Sequence, residues 1–367
     1  MPLPLAGLTV VAIEQAVAAP FSTSRLADAG ARVIKIERPE GDFARGYDDV
    51  ARGQSSYLVW LNRGKESVTL DLAGPQGAKE LARLLDRADV LVQNLKRGAL
   101  AKLGFSFERL ARDWPRLVTC SITGYGEGGP MADRKAYDLL IQAESGLCAI
   151  TGGPDEPARV GISLVDIATG ATAHAAILEA LIGRSVTGKG AQISVSMFDV
   201  MADWLTVPLL NHEGGKSPRR LGMAHPSIAP YGAFTAADGE QVLIAVQSDR
   251  EWRNLADLFL GQPELGTDPR FATNLARVAN RAETDALVAR GFARMTAREA
   301  IAALLRADVA LASVSDMAGL SRHPHLRRIT VDTPNGPVSY PAPAAMVAGD
   351  SRAYGPVPAL QPARVPA

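Results

Sequence analysis

The chain predicts an α/β fold: a parallel, doubly wound sheet with helices on both faces, joined to a smaller α+β part. Three observations carry this. Apolar runs such as residues 8–13 (LTVVAI) and 31–36 (ARVIKI) have the continuous hydrophobicity of strands buried on both faces. Helical stretches separate these runs at the spacing of right-handed βαβ units. After residue 211 the texture changes, through a Gly/Pro/Arg-rich stretch, to a hairpin and then helices.

The elements follow in order. After strand 8–13 comes the turn EQAVAAP (14–20), then a helix FSTSRLADAG beginning past Pro20 and stopped at Gly30. Strand 31–36 closes this first unit. VTLDL (68–72) reads as a strand, GPQGAKELARLLDRA as a helix opened by a Gly-Pro turn, and DVLVQN (89–94) as a strand. Residues 117–122 form the next strand and lead into the glycine-rich turn GYGEGGP (124–130). Residues 137–150 and 164–184 read as helices, the second with Ala, Thr and Gly along a flank that another backbone can approach. A short strand and helix follow in GKGAQISVSMFDVMADWLTVPLL. YGAFTA and QVLIAV flank the turn signal Asp238-Gly239, and helices DREWRNLADLF, NRAETDALVARGFARM and TAREAIAALLRA complete the smaller part. From about residue 318 the apolar runs are too sparse to fold alone and are expected to pack back on the first part.

The 367 residues carry 39 Lys+Arg and 39 Asp+Glu, a net charge of zero, which excludes the broad basic field of a nucleic-acid or anionic-membrane binder. Cys120 and Cys148 have no disulfide-framework or metal-ligand spacing. The N-terminal segment has no basic region before its apolar run and does not read as a signal peptide. No uninterrupted 18-residue apolar stretch occurs, so no membrane span is expected. A cytoplasmic enzyme is the expectation.

The first turn, EQAVAAP, lacks the glycines through which a backbone approaches a pyrophosphate, which argues against a dinucleotide site. Basic residues gather at the expected carboxyl ends of strands: Lys35 and Arg38, Lys96 and Arg97, Arg134 and Lys135. Crevices at those ends bind ligands in doubly wound folds, so this grouping fits a multiply charged anion. Asp166 stands among apolar and small residues at an expected helix start, where the helix dipole would hold it ionised as a nucleophile toward an activated acyl group. The histidines form no HxxxH or HExxH pair, and no metal centre is expected.

The segments LTVVAIEQAVAAPFSTSRLADAGARVIKIERPEGD, LVQNLKRGALAKLGF, SITGYGEGGP, RKAYDLLIQAESG and LVDIATG, in that order, resemble the class III CoA-transferases of CaiB/BaiF type. That family also contains formyl-CoA transferases, carnitine CoA-transferases and α-methylacyl-CoA racemases. The similarity runs from the N-terminus to about residue 210 and resumes at DREWRNL and HPHL. The resemblance implies Asp166 as the catalytic aspartate, with Gln15 and Tyr137 at the active site. It implies contacts to CoA from Arg38, Asn94, Leu95, Ala99, Lys102 and Lys135. Lys102 replaces an arginine of formyl-CoA transferase, keeping the charge but losing the planar fork.

Racemases of the family place a histidine where this chain has Tyr137, in Ala136-Tyr137-Asp138. A tyrosine of ordinary pKa, about 10, is a poor proton shuttle at neutral pH. The racemase glutamate of the small domain also has no counterpart in Val246-Gln247-Ser248-Asp249. A transferase is therefore favoured, with an α-methylacyl-CoA racemase or epimerase as the alternative. In place of the formyl-CoA transferase glycine loop stands RRLGMAHPSIAPYG (219–232), resembling members that act on dicarboxylic acids. His225, with Arg219 or Arg220, is expected to hold the acceptor's carboxylate.

The resemblance further implies a Rossmann-like large domain begun by residues 1–205, a linker 206–229, an inserted small domain 230–315, and a linker and C-terminal return to the large domain over 316–367. It also implies an interlocked, ring-like homodimer, acyl-CoA and a small carboxylic acid as substrates, and no permanently bound cofactor.

Overall fold

The computed structural model describes residues 3–349 and 352–361. The last residues of the expected C-terminal return, 362–367, lie outside this range, as do 1–2 and 350–351. Contacts divide the chain into two units, one comprising residues up to 148, 159–210 and from 327 onward, the other residues 149–158 and 211–326.

The first unit is the parallel sheet. Its strands are β1 (Thr9–Ile13), β2 (Arg32–Glu37), β3 (Lys65–Thr69), β4 (Val90–Gln93), β5 (Val118–Thr123) and β6 (Gln192–Ser196). They lie in the order β3-β2-β1-β4-β5-β6, all parallel, with Val10 opposite both Val33 and Val90. The chain starts in the middle and winds outward both ways, so the order reverses between β1 and β4. The loops leaving those two strands must part there, and a crevice opens at their carboxyl ends.

The helices are α1 (Ala18–Asp28), α2 (Ser56–Asn62), α3 (Pro75–Leu85), α4 (Ala99–Lys102), α5 (Phe107–Asp113), α6 (Asp138–Glu144), α7 (Leu147–Ile150), α8 (Leu164–Thr187), α9 (Met197–Trp204) and α10 (Thr206–Glu213). Alternate strand residues feed two cores. Val10, Ala12, Val33, Val92, Val118 and Cys120 pack with α1 and α8, whereas Val11, Ile13, Ile34, Ile36 and Leu91 pack with α3 and α5. Helix α8 is long and apolar enough to cross a bilayer by length and composition. Its small-residue flank, Ala168, Thr169, Gly170 and Ala173, is instead buried in this fold. A Cβ at Gly170 would stand 2.4 Å from the Ala18 carbonyl oxygen, so glycine is what lets α1 and α8 touch.

Three readings of local structure change. Helix α1 begins at Ala18, with Pro20 inside its first turn, where no partner for its missing N–H is needed. Strand β3 covers Lys65–Thr69 rather than 68–72. Lys65 and Ser67 look like surface residues in sequence, but both are buried and bonded to carboxylates, which makes a polar segment strand. The helix expected over 137–150 is broken between Glu144 and Leu147, where Gly146 takes φ +89°.

The tail pairs β10 (Arg328–Val331) with β11 (Val338–Pro341), and Val331 and Val357 pack with Leu58 and Val59 of α2. The second unit holds an antiparallel sheet, β7 (Tyr231–Thr235), β8 (Gln241–Ala245) and β9 (Ala310–Ser313), in that order. Its core includes Trp252, Phe271 and Phe292. The buried Arg277 joins this core by donating to Ala229 O at 2.7 Å and to Asp249 Oδ1 at 2.9 Å.

Candidate active site

Gln15 and Asn94 follow β1 and β4 at the point where strand order reverses. The Gln15 N–H donates to Asn94 Oδ1 at 3.0 Å, and Asn94 Nδ2 donates back to Gln15 O at 2.8 Å. The two loops are thereby stitched together through one acceptor and one donor of the Asn94 side chain. The next residue, Ala16, has φ +63°, a left-handed conformation uncommon without glycine. Its N–H donates to Asp42 Oδ1 at 3.1 Å, and Asp42 Oδ2 accepts from Lys35 Nζ at 2.7 Å.

That clamp belongs to a buried ion network. Lys65 Nζ donates to Glu14 Oε1 at 2.6 Å, and Glu14 lies 3.8 Å from Lys35. Burial pulls the Lys65 ammonium down to about 8 even though Glu14 opposes the shift. Glu37 sits at about 2: burial pushes it up, but the Arg45 hydrogen bond and the charges of Lys35 and Arg45 outweigh that. Lys35, expected on the ligand rim, is thus a structural cation with no exposed surface.

Two crevices open here. The larger, about 500 Å³, is lined by Gln15, Asn94, Leu95, Lys135, Tyr137 and Asp166 among others. The smaller, about 410 Å³, is lined by Gln15, Arg38, Leu95, Lys96 and Ala99 among others. Gln15, Leu95 and Lys96 border both, so the crevices adjoin at the switch point. Lys102 lines neither and is exposed on α4.

Asp166 lies in the first turn of α8 and is half-buried. Its carboxyl is pushed up to about 7, first by burial and then by the negative charge of Asp138. The expectation that the helix dipole would hold it firmly ionised is therefore corrected. The dipole acts through N–H groups at the helix start, and Asp138 Oδ1 already accepts two of them, from Val165 at 2.7 Å and from Asp166 at 3.3 Å.

Phe43, Tyr47 and Tyr57 supply an aromatic wall to the larger crevice, with Tyr47 and Tyr57 edge to face at 5.3 Å. The Tyr47 hydroxyl is raised to about 12 by burial and by the charges of Asp42 and Asp166. Of the crevice cations, Arg97 pairs with Asp133 at 3.3 Å and Arg134 with Glu144 at 2.9 Å. Lys96, Lys135 and Arg159 have no carboxylate partner among the described residues.

All residues lining both crevices come from the first unit. His225 belongs to the second, stacked on Tyr231 at 5.2 Å with its Nδ1 accepting from Ser227 N. Arg220, expected to assist it, is committed elsewhere: it donates to Gly153 O, Ala149 O and Pro154 O at 3.0–3.1 Å, strapping down residues 149–158. Asp42, Asp138 and Arg159 were not singled out from sequence. Asp42 ends the segment KIERPEGD and Asp138 follows Tyr137, but neither position reveals a backbone partner far along the chain.

A family model described as CoA-transferase family III matches residues 5–362. The chain belongs to CoA-transferase family III. As a family III enzyme it is similar to an acetyl-CoA:oxalate CoA-transferase of Acetobacter aceti, 37% identical over 94% of this chain and 90% of that one. It is also similar to a succinate–glutarate CoA-transferase of Agrobacterium fabrum, 39% identical over 82% and 77% of the two chains. The crystal structure of a CaiB/BaiF family protein from Brucella suis superposes with a TM-score of 0.80 at 37% identity, over 97% of this chain and 96% of that one. The family III assignment accounts for a doubly wound sheet whose first turn lacks pyrophosphate glycines.

Proposed function

We propose that the enzyme moves CoA from an acyl-CoA donor to a free carboxylic acid through Asp166. The observation that carries this reading is the pair of adjoining crevices, one holding Asp166 and the other Arg38. Their shared border fits one elongated ligand. The nucleotide end of CoA lies against Ala99 with Arg38 and Lys96 on its phosphates, the pantetheine arm passes Gln15 and Leu95, and the thioester reaches Asp166 beside Tyr137 and Lys135.

A carboxylate Oδ of Asp166 attacks the thioester carbonyl, the C–S bond breaks, and CoA leaves as thiolate. The resulting acyl-aspartyl anhydride is attacked at the aspartyl carbonyl by that thiolate, which expels the donor acid and leaves an aspartyl-CoA thioester. The acceptor carboxylate reverses both steps. No proton is consumed, and thioester energy is conserved as long as water stays out. The raised Asp166 pKa suits this use, because a poorly stabilised carboxylate is the more reactive one.

The acceptor class we infer is a dicarboxylate, supported by relatives named for oxalate, glutarate and mesaconate. With Arg220 committed elsewhere and Arg97 and Arg134 paired to carboxylates, Arg159 is the crevice guanidinium to which we assign the distal carboxylate. His225 remains a proposed acceptor contact. Lys102 remains a proposed CoA contact that a long ligand would have to reach outside both crevices.

The same reading includes an interlocked homodimer with a large discontinuous domain and a small inserted one. Ile182 and Val186 of α8 and Val207 and Leu210 of α10 are 61–84% exposed, large apolar side chains of the kind a second subunit covers. The test is mass spectrometry of enzyme mixed with acyl-CoA donors and trapped with hydroxylamine or borohydride. An adduct on Asp166 is expected, and its absence with several donors refutes the mechanism. Deuterium uptake at the α-carbon without any acceptor acid would indicate a racemase instead.

A further inference from the structure

One carboxylate of the larger crevice takes no part in those steps. Asp138 opens α6 and is buried. Its Oδ1 accepts the N–H groups of Val165 at 2.7 Å and Asp166 at 3.3 Å, and its Oδ2 accepts from Gln142 Nε2 at 2.7 Å. Gln142 in turn accepts the Val160 N–H at 2.9 Å, tying the segment ahead of α8 to the same pair. The first N–H groups of a helix have no partner within it and draw in the nearest anion. At the start of α8 that anion comes from another helix.

An acidic residue in the first helical turn ordinarily turns its own carboxylate back onto such donors. Here the seat is occupied, and among the described residues none donates a hydrogen bond to the Asp166 carboxylate. We propose that Asp138 is a positioning residue: by holding the start of α8 and taking its free N–H groups, it leaves the Asp166 oxygens without donors and fixed for attack on the thioester. The proposal rests on the reading of Asp166 as nucleophile.

The charge of Asp138 adds to the effect by favouring the protonated form of Asp166. Other ionisable groups line the crevice from separate elements. Lys96 and Arg97 follow β4, Asp133, Arg134 and Lys135 precede α6, and Arg159 precedes α8. Tyr47, Tyr57 and Tyr137 complete the set. Asp138→Asn alters none of these groups chemically and keeps the N–H acceptor at the start of α8, so a moved acid limb in that variant reports the charge of Asp138.

Two variants separate the roles. Asp138→Asn keeps an acceptor oxygen for both N–H groups but removes the charge and the acceptor for Gln142 Nε2, whereas Asp138→Ala removes all three. In Asp138→Asn the acid limb of kcat/KM is expected to move to lower pH by about one unit, with kcat above the limb lowered less than about tenfold. In Asp138→Ala kcat is expected to fall about a hundredfold or more with little change in KM for acyl-CoA, as a misplaced nucleophile requires. The rate of adduct formation on Asp166 should fall with it.

Near-normal kcat and adduct rate in Asp138→Ala would overturn the proposal. So would an Asp138→Asn enzyme as impaired as the alanine variant with its acid limb unmoved. Should the alanine variant fail to fold, Asp138→Ser, whose shorter side chain draws the acceptor back from both N–H groups, takes its place, and a near-normal adduct rate in it overturns the idea. A wild-type enzyme that forms no Asp166 adduct refutes the nucleophile reading, and this proposal with it. A wild-type adduct alongside an unimpaired Asp138→Ala refutes only this proposal.

Discussion

Asp166→Asn keeps the shape of the side chain and removes its charge. The unfolded chain ionises Asp166 near its ordinary value of 3.8, while the folded chain holds the proton up to about 7. Between those values the native state binds a proton that the unfolded state does not, so stability falls as pH rises through the window and levels off above it. Three pKa units correspond to about 4 kcal/mol at pH 8, of which about 2 kcal/mol has accumulated by pH 5. The asparagine variant escapes this loss. It should therefore gain about 2–3 kcal/mol on the wild type between pH 5 and pH 8, a relative rise in Tm of about 3 °C for a chain of this size.

The assay is thermal unfolding of both proteins at the two pH values, paired with the kcat/KM profile of the wild type. If the ionised Asp166 is the nucleophile, as proposed, kcat/KM should fall below pH 7, with about a tenth of the enzyme ionised at pH 6. A stability difference that is the same at both pH values, or a profile flat down to pH 5, would refute the argument that burial and Asp138 hold Asp166 protonated.

Other outcomes follow from the packing. Gly170→Ala drives a Cβ into the Ala18 carbonyl, so α1 must shift, and a loss of about 1–3 kcal/mol is expected in denaturant unfolding together with weakened acyl-CoA binding next to Ala16. Lys65→Met removes the nearest cation of the buried Glu14, leaving it Lys35 at 3.8 Å and the Thr23 hydroxyl, and should cost about 3 kcal/mol, whereas the double variant with Glu14→Gln should recover part of it; equal losses in the two would show that the pair is not what matters. Arg159→Ala should raise KM for a dicarboxylic acceptor about tenfold while leaving a monocarboxylic one unchanged, and a uniform rise for both would remove Arg159 from acceptor recognition.

The sheet was legible because its code is local. Runs such as LTVVAI and ARVIKI are apolar on both faces, and Asp238-Gly239 marks a hairpin by chemistry of two residues. Strand β3 was misplaced because its polarity is satisfied by partners far away: Lys65 meets Glu14 and Ser67 meets Glu37 only after β2 and β3 pair. The same reason hid the use of Lys35. Asp166 was singled out from its apolar surroundings, but its protonation was misjudged, because the competing anion at its helix start comes from a residue 28 positions earlier.

The sequence by itself determined the α/β class, the family, and the residue types gathered at the strand ends, since each depends on neighbours in the chain or on motifs read in order. The tertiary structure decided which of those residues face the crevices and which are spent inside. Asn94 stitches the Gln15 loop while still lining the larger crevice, Arg220 is spent in a strap, and Lys35 in the clamp on Ala16. A charged side chain takes its role from the partner that desolvation forces on it, and that partner is set by strand order rather than by chain order.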